Sequence, residues 1–204
     1  MKTEEGYIKY NAVHHKGKAP YHQDLVLLDS VRTELYDLGF IGEYDNGISY
    51  GNVSVRDGAN DKYFIISGTG TGKVRCLGEE GYCLVTKVDI YSNTAESSGP
   101  LQASSESMTH RAIYMANKSI KCVIHIHSHI YFHALLTENA FSTPADLTYG
   151  TTELAVFVID FVKNLSKDKA LFVTKGHEDG IFIYGPSIME ARGLLFDTIG
   201  TKRP

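Results

Sequence analysis

The run Cys122-Val123-Ile124-His125-Ile126-His127 is apolar and largely β-branched apart from its two histidines, so it reads as a buried strand with both imidazoles on one face. Side chains at i and i+2 of a strand point the same way, about 7 Å apart at the backbone, which lets both rings converge on one ion. A buried ring nitrogen must be hydrogen-bonded or ligated. Two readings follow: a pair of metal ligands, or a pair of satisfied core histidines.

The flanking sequence supplies alternating strand and helix signals. Tyr7 to Val13 reads as a strand, and His14-His15-Lys16-Gly17-Lys18 as the turn after it. Leu25, Leu28, Val31, Leu35 and Leu38 recur at helical spacing, with Gly39 as the stop. Ile48 to Arg56 and Tyr63 to Ser67 form a hairpin-like pair around Asp57-Gly58-Ala59-Asn60-Asp61, and Leu84 to Ile90 is a further strand. Ser105 is placed to cap a helix from Glu106 to Asn117. Beyond the histidine strand and a loop, Thr151 caps a second helix running to Leu165. Leu171 to Thr174 and Gly180 to Tyr184 are strand-like, and Ser187 to Thr198 is a last helix. Strands in runs, interleaved with helices, predict an α/β fold with a mixed or largely antiparallel sheet covered by helices. The 204 residues suit a single domain over 1–204.

A net charge of -4 argues against a nucleic-acid binder that neutralises phosphates, and Lys202-Arg203 reads as a solvated tail. Cys76, Cys83 and Cys122 form no Cys-x-x-Cys pair, so neither a disulfide framework nor a thiolate metal site is expected, and a reducing cytoplasm fits best. Met1-Lys2-Thr3-Glu4-Glu5 lacks the apolar core of a signal peptide, and no stretch has the length of a membrane span.

Ser67-Gly68-Thr69-Gly70-Thr71-Gly72-Lys73 is not a P-loop: Gly68 and Gly72 stand too close, and Val74 follows the lysine. It is also too tight for a dinucleotide fingerprint. It remains either a nest for a single phosphate or a plain tight turn. Ser104-Ser105-Glu106 opens a helix, where hydroxyls cap the backbone or an anion binds. His110, one turn on, is placed to orient Glu106 or pair with it.

Together these segments resemble the class II aldolase/adducin family, over roughly Leu25 to Ala191. Gly51-Asn52-Val53-Ser54-Val55-Arg56 is similar to the family's segment whose Asn contacts substrate phosphate. Thr69-Gly70 resembles its second phosphate loop, and Ser104-Ser105-Glu106 its Ser-Ser-Glu, with serines on phosphate and Glu as acid/base. His125 and His127 fall on the family's first two zinc ligands, and Tyr149-Gly150-Thr151-Thr152-Glu153-Leu154 resembles its Gly-Thr-x-Glu-Leu helix start. The resemblance implies an α/β/α three-layer sandwich around a mainly antiparallel sheet, assembled as a homotetramer.

Two departures stand out. The family's third ligand belongs to a His-Gly pair, whereas here Glu178 and Asp179 separate His177 from Gly180; His177 is favoured as ligand, with Asp179 as the rival. The tyrosine that the family's aldolases and epimerases use near the C-terminus has no counterpart between Phe196 and Pro204. The resemblance implies a Zn2+-dependent lyase, with another divalent metal as the alternative, that cleaves a small phosphorylated ketose reversibly through a zinc-stabilised enediolate. Glu106 would move the proton, and Asn52, Thr69, Gly70, Ser104 and Ser105 would hold the phosphate. An epimerase or dehydratase of the same family, a noncatalytic adducin-like module, and last a nucleotide-dependent enzyme are the alternatives.

Overall fold

Among residues 8–200, which the computed structural model describes, the histidine run is a strand buried at every position and paired antiparallel on both sides. In chain order the elements are β1 (Asn11–Lys16), α1 (Leu25–Asp37), β2 (Gly42–Glu43), β3 (Ser49–Tyr50), β4 (Asn52–Arg56), β5 (Phe64–Ser67), β6 (Tyr82–Asp89), β7 (Thr94–Gly99), α2 (Ser107–Ala116), β8 (Cys122–His127), α3 (His129–Thr137), β9 (Ser142–Thr143), α4 (Thr152–Leu165), β10 (Ala170–Thr174), β11 (Gly180–Gly185) and α5 (Ile188–Gly200). A 9-stranded sheet has the order β1-β7-β6-β5-β4-β8-β11-β10-β9. Its outermost pairings, β1 with β7 and β9 with β10, are parallel, so the sheet is mixed and the expected antiparallel pattern is amended at both edges.

Strand alternation divides the core in two. Val123 packs with Met108 and Ala112 of α2 and with Leu154 and Val158 of α4. Ile124 and Ile126 turn the other way, onto Leu28 and Leu35 of α1 and Ala191 and Leu195 of α5. Each fully buried leucine contributes about 1.5–3 kcal/mol, so the two helix layers hold β8 between them. His125 and His127 share the phase of Val123 and therefore face the α2/α4 side. No helix among the described residues is long and apolar enough to cross a membrane.

Several expectations are corrected. His14 and His15 lie in β1, opposite Ser97 and Ser98, and not in a turn; His14 Nδ1 lies 3.0 Å from Ser97 Oγ. Pairing with an edge partner there overrides the polar look of the segment. The expected start of that strand at Tyr7 lies outside the described residues, as does the Lys202-Arg203 tail. The strand expected from Ile48 to Arg56 breaks at Gly51, where φ is +73° and a Cβ would come within 2.7 Å of Ile41 Cγ1. The N-cap position of α2 falls on Glu106 and not on Ser105, and the Glu106 side chain makes no capping hydrogen bond to the backbone. The segment after β8 begins with a helix, α3, capped by Ser128 Oγ accepting from Tyr131 N at 3.4 Å.

Arg56, at the end of β4, ties the sheet to the far end of α2. Its Nε donates to Ile120 O at 2.8 Å, and its Nη2 to Tyr114 O at 2.8 Å and Asn117 O at 3.0 Å. Leaving a buried acceptor unsatisfied costs about 1–3 kcal/mol, so Arg56→Met is expected to lose about 3 kcal/mol or more in urea unfolding. An unchanged midpoint would show that Arg56 does not hold this junction.

Candidate metal centre and active site

Three imidazoles meet at the open end of β8. His125 and His127 come from the strand itself, and their Nε2 atoms stand 3.1 Å apart. His177 comes from the turn between β10 and β11, which is built by His177 N donating to Thr174 O at 2.9 Å and Gly180 N to His177 O at 3.0 Å. The inserted Glu178 and Asp179 are absorbed in this turn, with Asp179 at φ 64°. One ligand atom from each of the three histidines lies within 4.8 Å of the others, and all three side chains are buried.

The orientation of each ring is fixed. His125 Nδ1 faces Ile181 O at 3.2 Å; a carbonyl only accepts, so Nδ1 carries the proton and Nε2 presents a lone pair to the triad. Phe182 stacks on the same ring at 4.1 Å between centroids. His127 Nδ1 is 2.9 Å from Tyr44 Oη. The Tyr149 ring stacks on His177 at 4.7 Å. Burial, then the charges of His127 and His177, hold His125 well below the usual imidazole range; burial and His177 do the same to His127. Three buried imidazoles, His125 with its Nε2 lone pair aimed inward, suit a divalent cation of the zinc class, so the donor set fits the metal.

Glu106 stands beside this cluster, 2% exposed. Its Oε1 is 3.3 Å from His177 Nδ1, and its Oε2 accepts from Thr109 Oγ1 at 3.0 Å. His110 was expected to orient Glu106 or pair with it, but the side chain that meets Glu106 is that of Thr109, three positions on. His110 is instead 2.7 Å from Ser54 Oγ, and burial pushes it down to about 3. Thr109 was missed, although its spacing from Glu106 is legible; nothing in the sequence marks Tyr44.

A cleft of about 270 Å³ opens onto the same point. Its walls include His125, His127, His177 and Glu106, together with Asn52, Thr69, Gly70, Ser104 and Ser105. Every residue singled out for the site therefore lines one cavity, whereas Asp179 lines an adjoining hollow that shares Tyr50 and His127 with it. Asn52 Nδ2 donates to Ser104 Oγ at 3.0 Å, and its buried Oδ1 has no hydrogen-bond partner among the described residues. In the glycine loop, Gly68 N and Thr69 N are engaged by the carbonyls of Gly81 and Gln102. Gly70 stands at φ +70°, Gly72 N donates to Ser49 Oγ at 3.0 Å, and Thr71 Oγ1 closes the turn on Gly68 O at 2.8 Å. The phenols that the described chain brings to this cavity are those of Tyr50 and Tyr149.

The family model for the class II aldolase and adducin N-terminal domain matches residues 43–197. The chain belongs to that family. No curated protein matches it by sequence. Among solved structures it is similar to YgbL of Klebsiella pneumoniae, for which aldolase, epimerase and decarboxylase activities are all suggested. That likeness has a TM-score of 0.63 at 19% identity and covers 84% of this chain and 83% of the other. An L-fuculose 1-phosphate aldolase aligns with a TM-score of 0.61 at 18% identity, covering 91% and 85%. A sugar-phosphate aldolase from Thermotoga maritima aligns with a TM-score of 0.56 at 17% identity, covering 87% and 95%. At these identities the likeness establishes the class II aldolase fold.

Proposed function

We propose that this class II aldolase family member is a metal-dependent lyase that cleaves a small phosphorylated ketose by a reversible aldol reaction. The observation that carries the reading is the gathering of the three histidines, Glu106 and the phosphate-type donors in one cleft. Family membership and the fold likeness to sugar-phosphate aldolases support it.

A zinc ion held by His125, His127 and His177, when bound, supplies a Lewis acid for the substrate carbonyl and its neighbouring hydroxyl. Asn52, Ser104 and Ser105 offer amide and hydroxyl groups to the phosphate, with the Thr69 hydroxyl and the Gly70 turn alongside. These contacts lie away from the reacting bond, so their binding energy orients the carbons to be parted. In cleavage the hydroxyl that becomes the aldehyde gives up its proton and the carbon that loses its neighbour gains one; Glu106 delivers the latter proton and removes it in the condensation direction. Thr109 holds one carboxylate oxygen and leaves the other beside the triad. Zinc is the proposed ion, a homotetramer the proposed assembly, and the cytoplasm the proposed location.

The test is product analysis of the zinc-loaded protein with fuculose 1-phosphate, ribulose 5-phosphate and methylthioribulose 1-phosphate. Release of an aldehyde and a three- or two-carbon fragment, dependent on metal, is expected from at least one ketose phosphate. An epimer or a dehydrated product alone would replace the lyase reading with one of the family's other reactions. Bound metal without any turnover would favour a noncatalytic adducin-like role.

A further inference from the structure

The residue that rivalled His177 as a metal ligand belongs to a second cluster. Asp179 Oδ1 lies 3.0 Å from His129 Nδ1. His133 follows His129 by one turn of α3, with ring centroids 4.4 Å apart, and one ligand atom from each of the three residues lies within 4.8 Å of the others. We propose that His129, His133 and Asp179 form a second, surface cation site that takes a first-row transition ion such as Zn2+, Ni2+ or Cu2+.

The donor set is two imidazoles and one carboxylate, borderline nitrogen and hard oxygen together, which suits these ions and not Mg2+ or Ca2+. Histidines at i and i+4 share one helix face, so α3 presents both rings side by side. Both are solvent-exposed, so small side-chain rotations can bring their donors to the roughly 2.0–2.2 Å that zinc requires. Asp179 is held from behind, because Ser128 N donates to its carbonyl at 3.0 Å, which joins the turn of β10–β11 to the start of α3.

The placement relates the two centres. His127 and His129 flank Ser128, while His177 and Asp179 flank Glu178, so each of two chain segments carries one residue toward the buried triad and one toward the surface. An ion at the surface site therefore clasps α3 to the turn that supplies His177. The site itself does not depend on the lyase reading.

Protein carrying one equivalent of zinc is titrated with further Zn2+ by calorimetry, beside His133→Ala and Asp179→Asn. The wild type is expected to show an additional binding event that weakens by about 100-fold in either variant, since even loss of an outer partner costs 10–100-fold in metal affinity. The first equivalent should stay bound in His133→Ala, and turnover at one equivalent should not change. Addition of Cu2+ should give an electron paramagnetic resonance signal with imidazole nitrogen couplings that His133→Ala reduces. No second event in the wild type, or one unaltered by both substitutions, overturns the proposal. Failure of the lyase reading would show instead as missing turnover, with the second event intact.

Discussion

Glu106→Gln is expected to keep the metal of the buried triad and to lower turnover by about 10²- to 10⁴-fold, the usual contribution of a positioned acid/base group. Glutamine matches the carboxylate in shape and can still accept from Thr109 Oγ1, so the start of α2 and the wall of the cleft should survive. What it lacks is the capacity to take up a proton. The measurement pairs elemental analysis with steady-state turnover on the ketose phosphate that the wild type cleaves. Because Oε1 lies 3.3 Å from His177 Nδ1, a carboxylate shift onto the ion is the real competitor. Loss of metal from a folded Glu106→Gln would assign Glu106 to the ligand set, and unchanged turnover would place the proton transfer elsewhere.

Much of this centre was legible in the sequence because its residues sit on local patterns. His125 and His127 share a strand face by period alone, and Ser104-Ser105-Glu106 stands where a helix must begin. The core strands and α1, α4 and α5 follow their apolar periodicity for the same reason. What stayed hidden depends on partners distant in the chain. Thr94–Gly99 is poor in β-branched residues and becomes a strand only through β6 and β1. Tyr44 reaches His127 across 83 positions, a contact no spacing rule reveals. In the glycine loop, sequence could offer its N–H groups to phosphate but not show that Gly68 and Thr69 had already given theirs to other carbonyls.

The choice of third ligand is the point at which geometry goes furthest beyond the sequence, and its expected effect is the largest. His177→Ala should strip the buried centre of its ion and abolish metal-dependent turnover, as should His125→Ala or His127→Ala, with affinity falling by more than about 100-fold. Asp179→Ala should leave both intact. The turn points His177 into the triad and places Asp179 against His129 at 3.0 Å, grouped with His129 and His133 and not with the buried rings. Three neutral imidazoles also leave the full positive charge of the ion to act on a substrate carbonyl, which a carboxylate would partly cancel. Each variant is passed through gel filtration to remove weakly held ions, then assayed for residual zinc and for cleavage. If Asp179→Ala loses the ion while His177→Ala retains it, the ligand set proposed for the buried centre is wrong, and the turn must rearrange around the metal in solution.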